Sequence, residues 1–172
     1  MTPHEIEDAL KGMVVLVDTR EQDTLRLRVR LNDMNCEHER CKLDFGDYSA
    51  KVPINGEWLT LNVAIERKMD LGELAQCYCS GRKRFEREFE RAQAAGAKMY
   101  LLIENGTWED VYTGNYRSQM LPQALTASIL AWLARYRCQL IFCRQRTSGR
   151  LIHDILHREA REMLEEMMFS EC

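Results

Sequence analysis

Apolar positions along the chain fall into two rhythms. Continuous apolar runs predict buried strands: "MVVLVDT" over Met13–Thr19, "KMYLLIEN" stopped by Asn105-Gly106, and "CQLIFC" over Cys138–Cys143. "CKLDFGDYSAKV" (Cys41–Val52) reads as a further strand, bent at Gly46, and "WLTLNVAIERK" (Trp58–Lys68) as its return. Between these two lies Asn55-Gly56, the strongest short-range hairpin signal. Period-3.6 patterning predicts helices over 3–11, about 23–34, about 71–95, 122–136 and from Thr147 to the C-terminal segment. Thr2 and Pro3 open the first of these and Gly12 closes it. In the long 71–95 segment Phe85, Phe89 and Ala92 share one face, with Arg84, Arg87 and Arg91 on another. In 122–136 Leu125, Ile129, Trp132 and Leu133 point mostly inward. Strands and helices interspersed in this way predict an α/β protein with a central mixed sheet flanked by helices.

Composition narrows the picture modestly. The 172 residues are 45% hydrophobic and 30% charged, the balance of one ordinary globular domain. No apolar run reaches the roughly 18 residues that span a bilayer, so no membrane association is expected. "MTPHEIEDALKGM" lacks the basic-then-apolar layout of a signal peptide, so the expected location is cytoplasmic. Seven cysteines, an odd count, then read as reduced thiols. A net charge of −3 argues against a general polyanion binder but leaves room for a local basic surface.

Three acids end or interrupt the apolar strands: Asp18 closing "VVLVD", Asp47 in "FGDYS" and Glu66 closing "NVAIE". Carboxylates at neighbouring strand ends repel and desolvate at a cost of several kcal/mol unless a cation relieves them. Hard oxygen ligands with room for water suit Mg²⁺ or Mn²⁺. Such an ion binds a phosphate oxygen and lowers the pKa of a bound water. Lys68, two residues past Glu66, points to the same side of the strand, where it reaches the same phosphate. The competing reading is an ordinary exposed ion pair between Glu66 and Lys68.

"VDTRE" (Val17–Glu21), "FGDY" (Phe45–Tyr48) and "IERK" (Ile65–Lys68) stand in the order and spacing of V-D-x-R-E, G-D and E-R-K-x-x-x-D. The chain, from about Met13 to Ala160, thereby resembles the nuclease domain of XPF-type structure-specific endonucleases. "GRKRFEREFERA" (Gly81–Ala92) resembles the helix that follows in that family. The resemblance implies a restriction-endonuclease-like core and Mg²⁺- or Mn²⁺-dependent cleavage of DNA phosphodiesters, at branched, flap or fork structures in repair or recombination. By position it implies Asp47 and Glu66 as principal metal ligands, Lys68 as catalytic lysine, and Asp18 completing or supporting the metal site. Arg20 is implied to contact phosphate or orient a carboxylate, and Glu21 to hold Arg20 or lie near the metal. Arg67 alternates to the opposite side of its strand and is expected in a structural ion pair. The family's last Asp falls at Gly72, with Asp70 and Glu73 as the nearest acids to replace it. XPF-type proteins of eukaryotes and archaea usually carry a tandem helix-hairpin-helix module; this sequence resembles the stand-alone nuclease domains of bacteria and phages.

Arg82, Lys83, Arg84 and Arg87 are candidates to neutralise DNA phosphates, against the alternative of a solvated face interleaved with Glu86, Glu88 and Glu90. "TSGR" (Thr147–Arg150) reads equally as a phosphate-binding helix start or as simple capping by Thr147 or Ser148. Cys138, Cys143, His153 and His157 have poor spacing for a zinc finger, as do Cys36, His38 and Cys41, so no structural zinc is expected. Leu156, Ala160, Met163 and Met167 form a helical stripe that serves either the core or a homodimer seam. Two rival functions stand beside the nuclease: a catalytically silent DNA-binding or partner subunit, and a module acting in DNA processing through a partner protein. Retention of Asp47, Glu66 and Lys68 together favours catalysis, because without a metal such charges only cost stability.

Overall fold

Helix α1 (Pro3–Lys11) begins in a reciprocal capping box between Thr2 and Glu5, and Gly12 caps its end. It leads into β1 (Val14–Asp18), whose last four residues are buried. In this computed structural model, which describes residues 1–170, α2 (Leu25–Met34) is capped by the Thr24 side chain and ends on Asn35 in the left-handed conformation. Then follow β2 (His38–Cys41), β3 (Tyr48–Ile54), β4 (Glu57–Thr60) and β5 (Val63–Lys68). Next come α3 (Leu71–Tyr78), α4 (Arg82–Ala94), β6 (Lys98–Glu104), α5 (Trp108–Thr113), α6 (Pro122–Tyr136), β7 (Gln139–Cys143) and α7 (Gln145–Ser170). The strands form a mixed seven-stranded sheet in the order β2-β1-β3-β5-β6-β7, with β4 added on β3. β1 runs parallel to β2 and antiparallel to β3, and β6 runs parallel to β7. None of the described helices is long and apolar enough to cross a membrane.

The chain divides into two compact units. The first comprises Met1–Leu43, Asp47–Val63 and Gly149–Cys172; the second Asp44–Gly46 and Ala64–Ser148. In the first, Val15 and Val17 of β1, Leu27 of α2 and Ile152, Leu156, Ala160 and Leu164 of α7 are buried. The β3–β4 hairpin turns on Asn55 and Gly56, both at positive φ, as a two-residue primed turn requires. In the second, β6 and helices α3, α4 and α6 enclose an aromatic cluster. The Trp132 ring lies 5.1 Å from Phe85, stacked, and 5.0 Å from Tyr78, edge-on. Phe89 and Tyr136 complete the cluster.

Several expected elements differ. The Cys41–Val52 strand is interrupted: β2 ends at Cys41, residues 42–47 are irregular, and β3 starts at Tyr48. Gly46, at φ +72°, provides the turn, and a side chain there would fall 2.8 Å from Ala64 Cβ. The Trp58–Lys68 return strand splits into β4 and β5 at Leu61-Asn62. The single 71–95 helix is two, because Ser80 and Gly81 are weak helix formers and Gly81 starts α4 anew. Helix α7 starts at Gln145, two residues early. Its first N–H is met by Asn105, whose Oδ1 accepts from Gln145 N at 3.2 Å. Thr147 and Ser148 are therefore not caps: their hydroxyls donate back to the Arg144 and Gln145 carbonyls, each at 2.9 Å. "TSGR" thus lies inside the helix and is no phosphate-binding terminus. Leu156 and Ala160 of the apolar stripe are fully buried, so that part of it is core rather than seam.

Candidate active site

The first motif organises the end of β1. Asp18 is wholly buried and its carboxylate accepts four hydrogen bonds. Oδ1 takes Arg20 N and Arg20 Nε, both at 2.7 Å. Oδ2 takes Arg20 Nη2 at 3.1 Å and Leu43 N at 2.8 Å. Burial pushes this carboxyl up; the Arg20 side chain and the backbone N–H groups of Arg20 and Leu43 outweigh it and hold the pKa below the ordinary carboxylate range. A carboxylate has about four lone-pair sites, and here all are used. Asp18 is thereby held at the end of β1 by Arg20 and by the Leu43 N–H. Arg20 Nη2 also reaches the Leu43 carbonyl at 3.4 Å.

Glu21 belongs to a second buried network. The Tyr48 hydroxyl donates to its Oε2 at 3.0 Å, and Arg30 Nη1 donates to that hydroxyl at 3.1 Å and lies 3.7 Å from Oε2. Arg30 is 4% exposed, and this pairing is what permits a guanidinium there. The network stands at the start of β3, one residue after Asp47. Asp47 itself is half-buried, and its carbonyl accepts from Asp18 N at 2.9 Å.

The third motif lies on β5. Glu66 and Lys68 are 3% and 7% exposed and form an ion pair, Lys68 Nζ to Glu66 Oε1. The i, i+2 spacing thus puts both on one side of the strand, and the pair is buried, not the exposed pair of the competing reading. Lys68 Nζ also sits 5.2 Å from the centre of the Phe85 ring. Arg67 points the other way and pairs with the fully buried Glu104 at 3.3 Å, the structural ion pair expected of it.

Beyond β5, Asp70 and Glu73 act at the start of α3. The Asp70 side chain accepts from Glu73 N at 2.9 Å, and Glu73 Oε2 accepts from Met69 N at 2.6 Å. This is a reciprocal cap of the helix terminus. Both acids are thereby engaged locally. Gly72, standing where the family pattern has its last Asp, has no room for a side chain: a Cβ would lie 2.8 Å from the Arg117 carbonyl oxygen.

On α4, Lys83, Arg84 and Arg87 are exposed. Arg82 is exposed too, but it pairs with Glu86 at 3.1 Å and stacks over Trp132 at 5.9 Å, and Arg135 reaches the same carboxylate at 3.7 Å. Sequence reasoning missed Glu88, which is buried on this helix and accepts from Gly46 N at 3.1 Å. It also missed Glu104. Both carry a visible signal: an acid inside an apolar stripe (Phe85, Glu88, Phe89, Ala92) or at the end of an apolar strand. Among the described residues no group of three or more His, Cys, Asp or Glu is gathered to hold a metal ion.

Residues 17–155 match the model of the ERCC4 domain. Solved structures similar to this chain include two of XPF. XPF from Aeropyrum pernix matches with a TM-score of 0.63 at 18% identity, over 91% of this chain and 69% of the other. XPF from Aeropyrum pernix in complex with DNA matches with a TM-score of 0.61 at 19% identity, over 87% of this chain and 65% of the other. The chain therefore spans about two thirds of the length of these structures. Comparison with curated protein sequences gives no significant match.

Proposed function

The chain belongs to the ERCC4 domain family, and from that premise we propose that it is a metal-dependent DNA endonuclease acting at branched, flap or fork DNA. The observation that carries this reading is the buried Glu66–Lys68 pair at the end of β5. Burying two charges costs several kcal/mol per ion before their attraction is counted, and apolar residues fill such positions at least as stably. A strand end that keeps both charges, inside the E-R-K motif, is built for chemistry.

The donor chemistry fits a hard divalent cation. Asp47 and Glu66 each carry carboxylate oxygens, the hard donors that Mg²⁺ and Mn²⁺ take while keeping several waters. Such an ion, when bound, would supply Lewis acidity toward a phosphoryl oxygen and lower the pKa of a water. Asp18, with every acceptor site filled, supports the site by fixing Arg20 and Leu43 rather than by ligation. Lys68 carries a positive charge in a nearly dry setting, where it stabilises the extra negative charge that develops on a phosphate under attack. Glu66 holds that ammonium in place. Lys83, Arg84 and Arg87, free of the stacking that occupies Arg82, contact the DNA backbone and make binding salt-dependent. The likeness to XPF from Aeropyrum pernix in complex with DNA supports DNA as the partner.

The test is cleavage of end-labelled 3′-flap, fork, nicked and plain duplex DNA with Mg²⁺ or Mn²⁺. Asp47→Ala and Lys68→Ala should each lower the rate by on the order of 10²–10³. A wild-type protein that binds these DNAs and cuts none of them in either metal refutes the catalytic reading in favour of a silent binding subunit.

A further inference from the structure

Helix α4 bonds twice to the segment that leads into Asp47. Glu88, 9% exposed, accepts the Gly46 N–H at 3.1 Å, and Arg91 Nε donates to the Asp44 carbonyl at 2.8 Å. The two side chains are three residues apart and so lie on one face of the helix. Gly46 is itself buried, at φ +72°, against Ala64 and the Ile65 carbonyl of β5. A carboxylate in the apolar stripe between Phe85 and Phe89 adds nothing to hydrophobic packing. Its bond to a buried amide in a non-repetitive segment explains its place there.

We propose that Glu88, assisted by Arg91, is a positioning residue for Asp47. It fixes the backbone one residue upstream, while the Asp47 carbonyl is held by Asp18 N at 2.9 Å on its own account. Asp47 is thus set by backbone anchors on both sides of its Cα, at the Gly46 N–H and at its own carbonyl. This inference rests on the reading of Asp47 as a site residue. The anchoring itself is measurable without any activity.

Hydrogen exchange of the 44–47 segment, compared with exchange inside α4, reads the anchor directly. Glu88→Ala should speed exchange of 44–47 by tenfold or more while α4 stays protected, and Glu88→Gln, which retains an acceptor oxygen, should restore most of the protection, as expected of a hydrogen bond of this kind. Arg91→Ala, a surface change that does not threaten folding, should shift the same segment in the same direction. Mn²⁺ titrations followed by electron paramagnetic resonance should show about 10–100-fold weaker binding in Glu88→Ala and recovery in Glu88→Gln. Unchanged exchange of 44–47 in both Glu88→Ala and Arg91→Ala overturns the anchoring. Faster exchange with unchanged Mn²⁺ binding overturns the positioning of Asp47. If Glu88→Ala loses protection throughout, Arg91→Ala alone decides between these outcomes. Absence of cleavage by the wild type would refute the nuclease reading and leave the exchange result standing.

Discussion

Replacing Lys68 by Met tests the central pair most directly. The side chains of Lys68 and Glu66 are 9% and 4% exposed. At a separation of about 3 Å and an effective dielectric constant of about 20, their attraction is about 5 kcal/mol. Desolvation of the two ions offsets most of that, so the intact pair contributes little net stability. Met fills nearly the volume of the Lys stem but leaves the Glu66 carboxylate buried without its ammonium, at a cost of about 3–5 kcal/mol. Glu66→Gln should cost about 2–3 kcal/mol, since the amide still accepts a bond from Lys68 while the charge opposite the ammonium is lost. The double substitution removes both charges and should lie within about 1–2 kcal/mol of wild type. Urea unfolding of the four proteins, with unchanged m-values as the condition for comparison, gives the coupling energy. The coupling should be several kcal/mol in favour of the pair, with cleavage lowered by on the order of 10²–10³ in all three variants. Single-variant costs that add within about 0.5 kcal/mol would refute it, because additivity means that the two charges do not depend on each other.

Two further outcomes follow from the same geometry. Asp18→Asn places an amide NH₂ where an oxygen now accepts two N–H donors, and should cost about 2–4 kcal/mol in urea unfolding. Because the folded carboxyl lies below its unfolded value, Asp18 contributes stability above the unfolded pKa of about 3.9 and loses it as pH falls through the folded one. The wild type should therefore show a steeper acid-side loss of stability than Asp18→Asn; parallel profiles would sink the assignment. Gly72→Asp, which restores the family's acid, should destabilise by about 1–3 kcal/mol through the clash with the Arg117 carbonyl. It should give no gain in cleavage rate, and a faster, fully stable variant would contradict the steric account.

Local chemistry was legible in the sequence wherever a signal acts within a few residues. Thr2-Pro3 and Gly12 bound α1, Asn55-Gly56 forms the hairpin, Pro122 opens α6, and the i, i+2 alternation of "ERK" places Glu66 with Lys68 and Arg67 opposite them. These are rules of backbone geometry, and they hold whatever the rest of the chain does. The family, too, was legible, since three linked motifs lie inside the matched residues 17–155. Where apolar content continued across a break, the periodicity carried no stop signal. The Cys41–Val52 and Trp58–Lys68 strands and the 71–95 helix therefore each read as one element and are two.

What tertiary structure alone decided is the partner of each charge. Nothing in "VDTRE" tells that Asp18 spends all its acceptor sites on Arg20 and on the N–H of Leu43, or that Glu21 turns to Tyr48 and Arg30. Glu88 looked like one of several solvated acids and is the buried partner of Gly46. The physical reason is common to Asp18, Glu21 and Glu88. An ionised group's role depends on which donors surround it once water is excluded, and in this chain those donors come from residues as many as 42 positions away. The sequence by itself determined which residues carry charge and which side of a strand or helix they face. Only folding determined which of those charges are satisfied as structure.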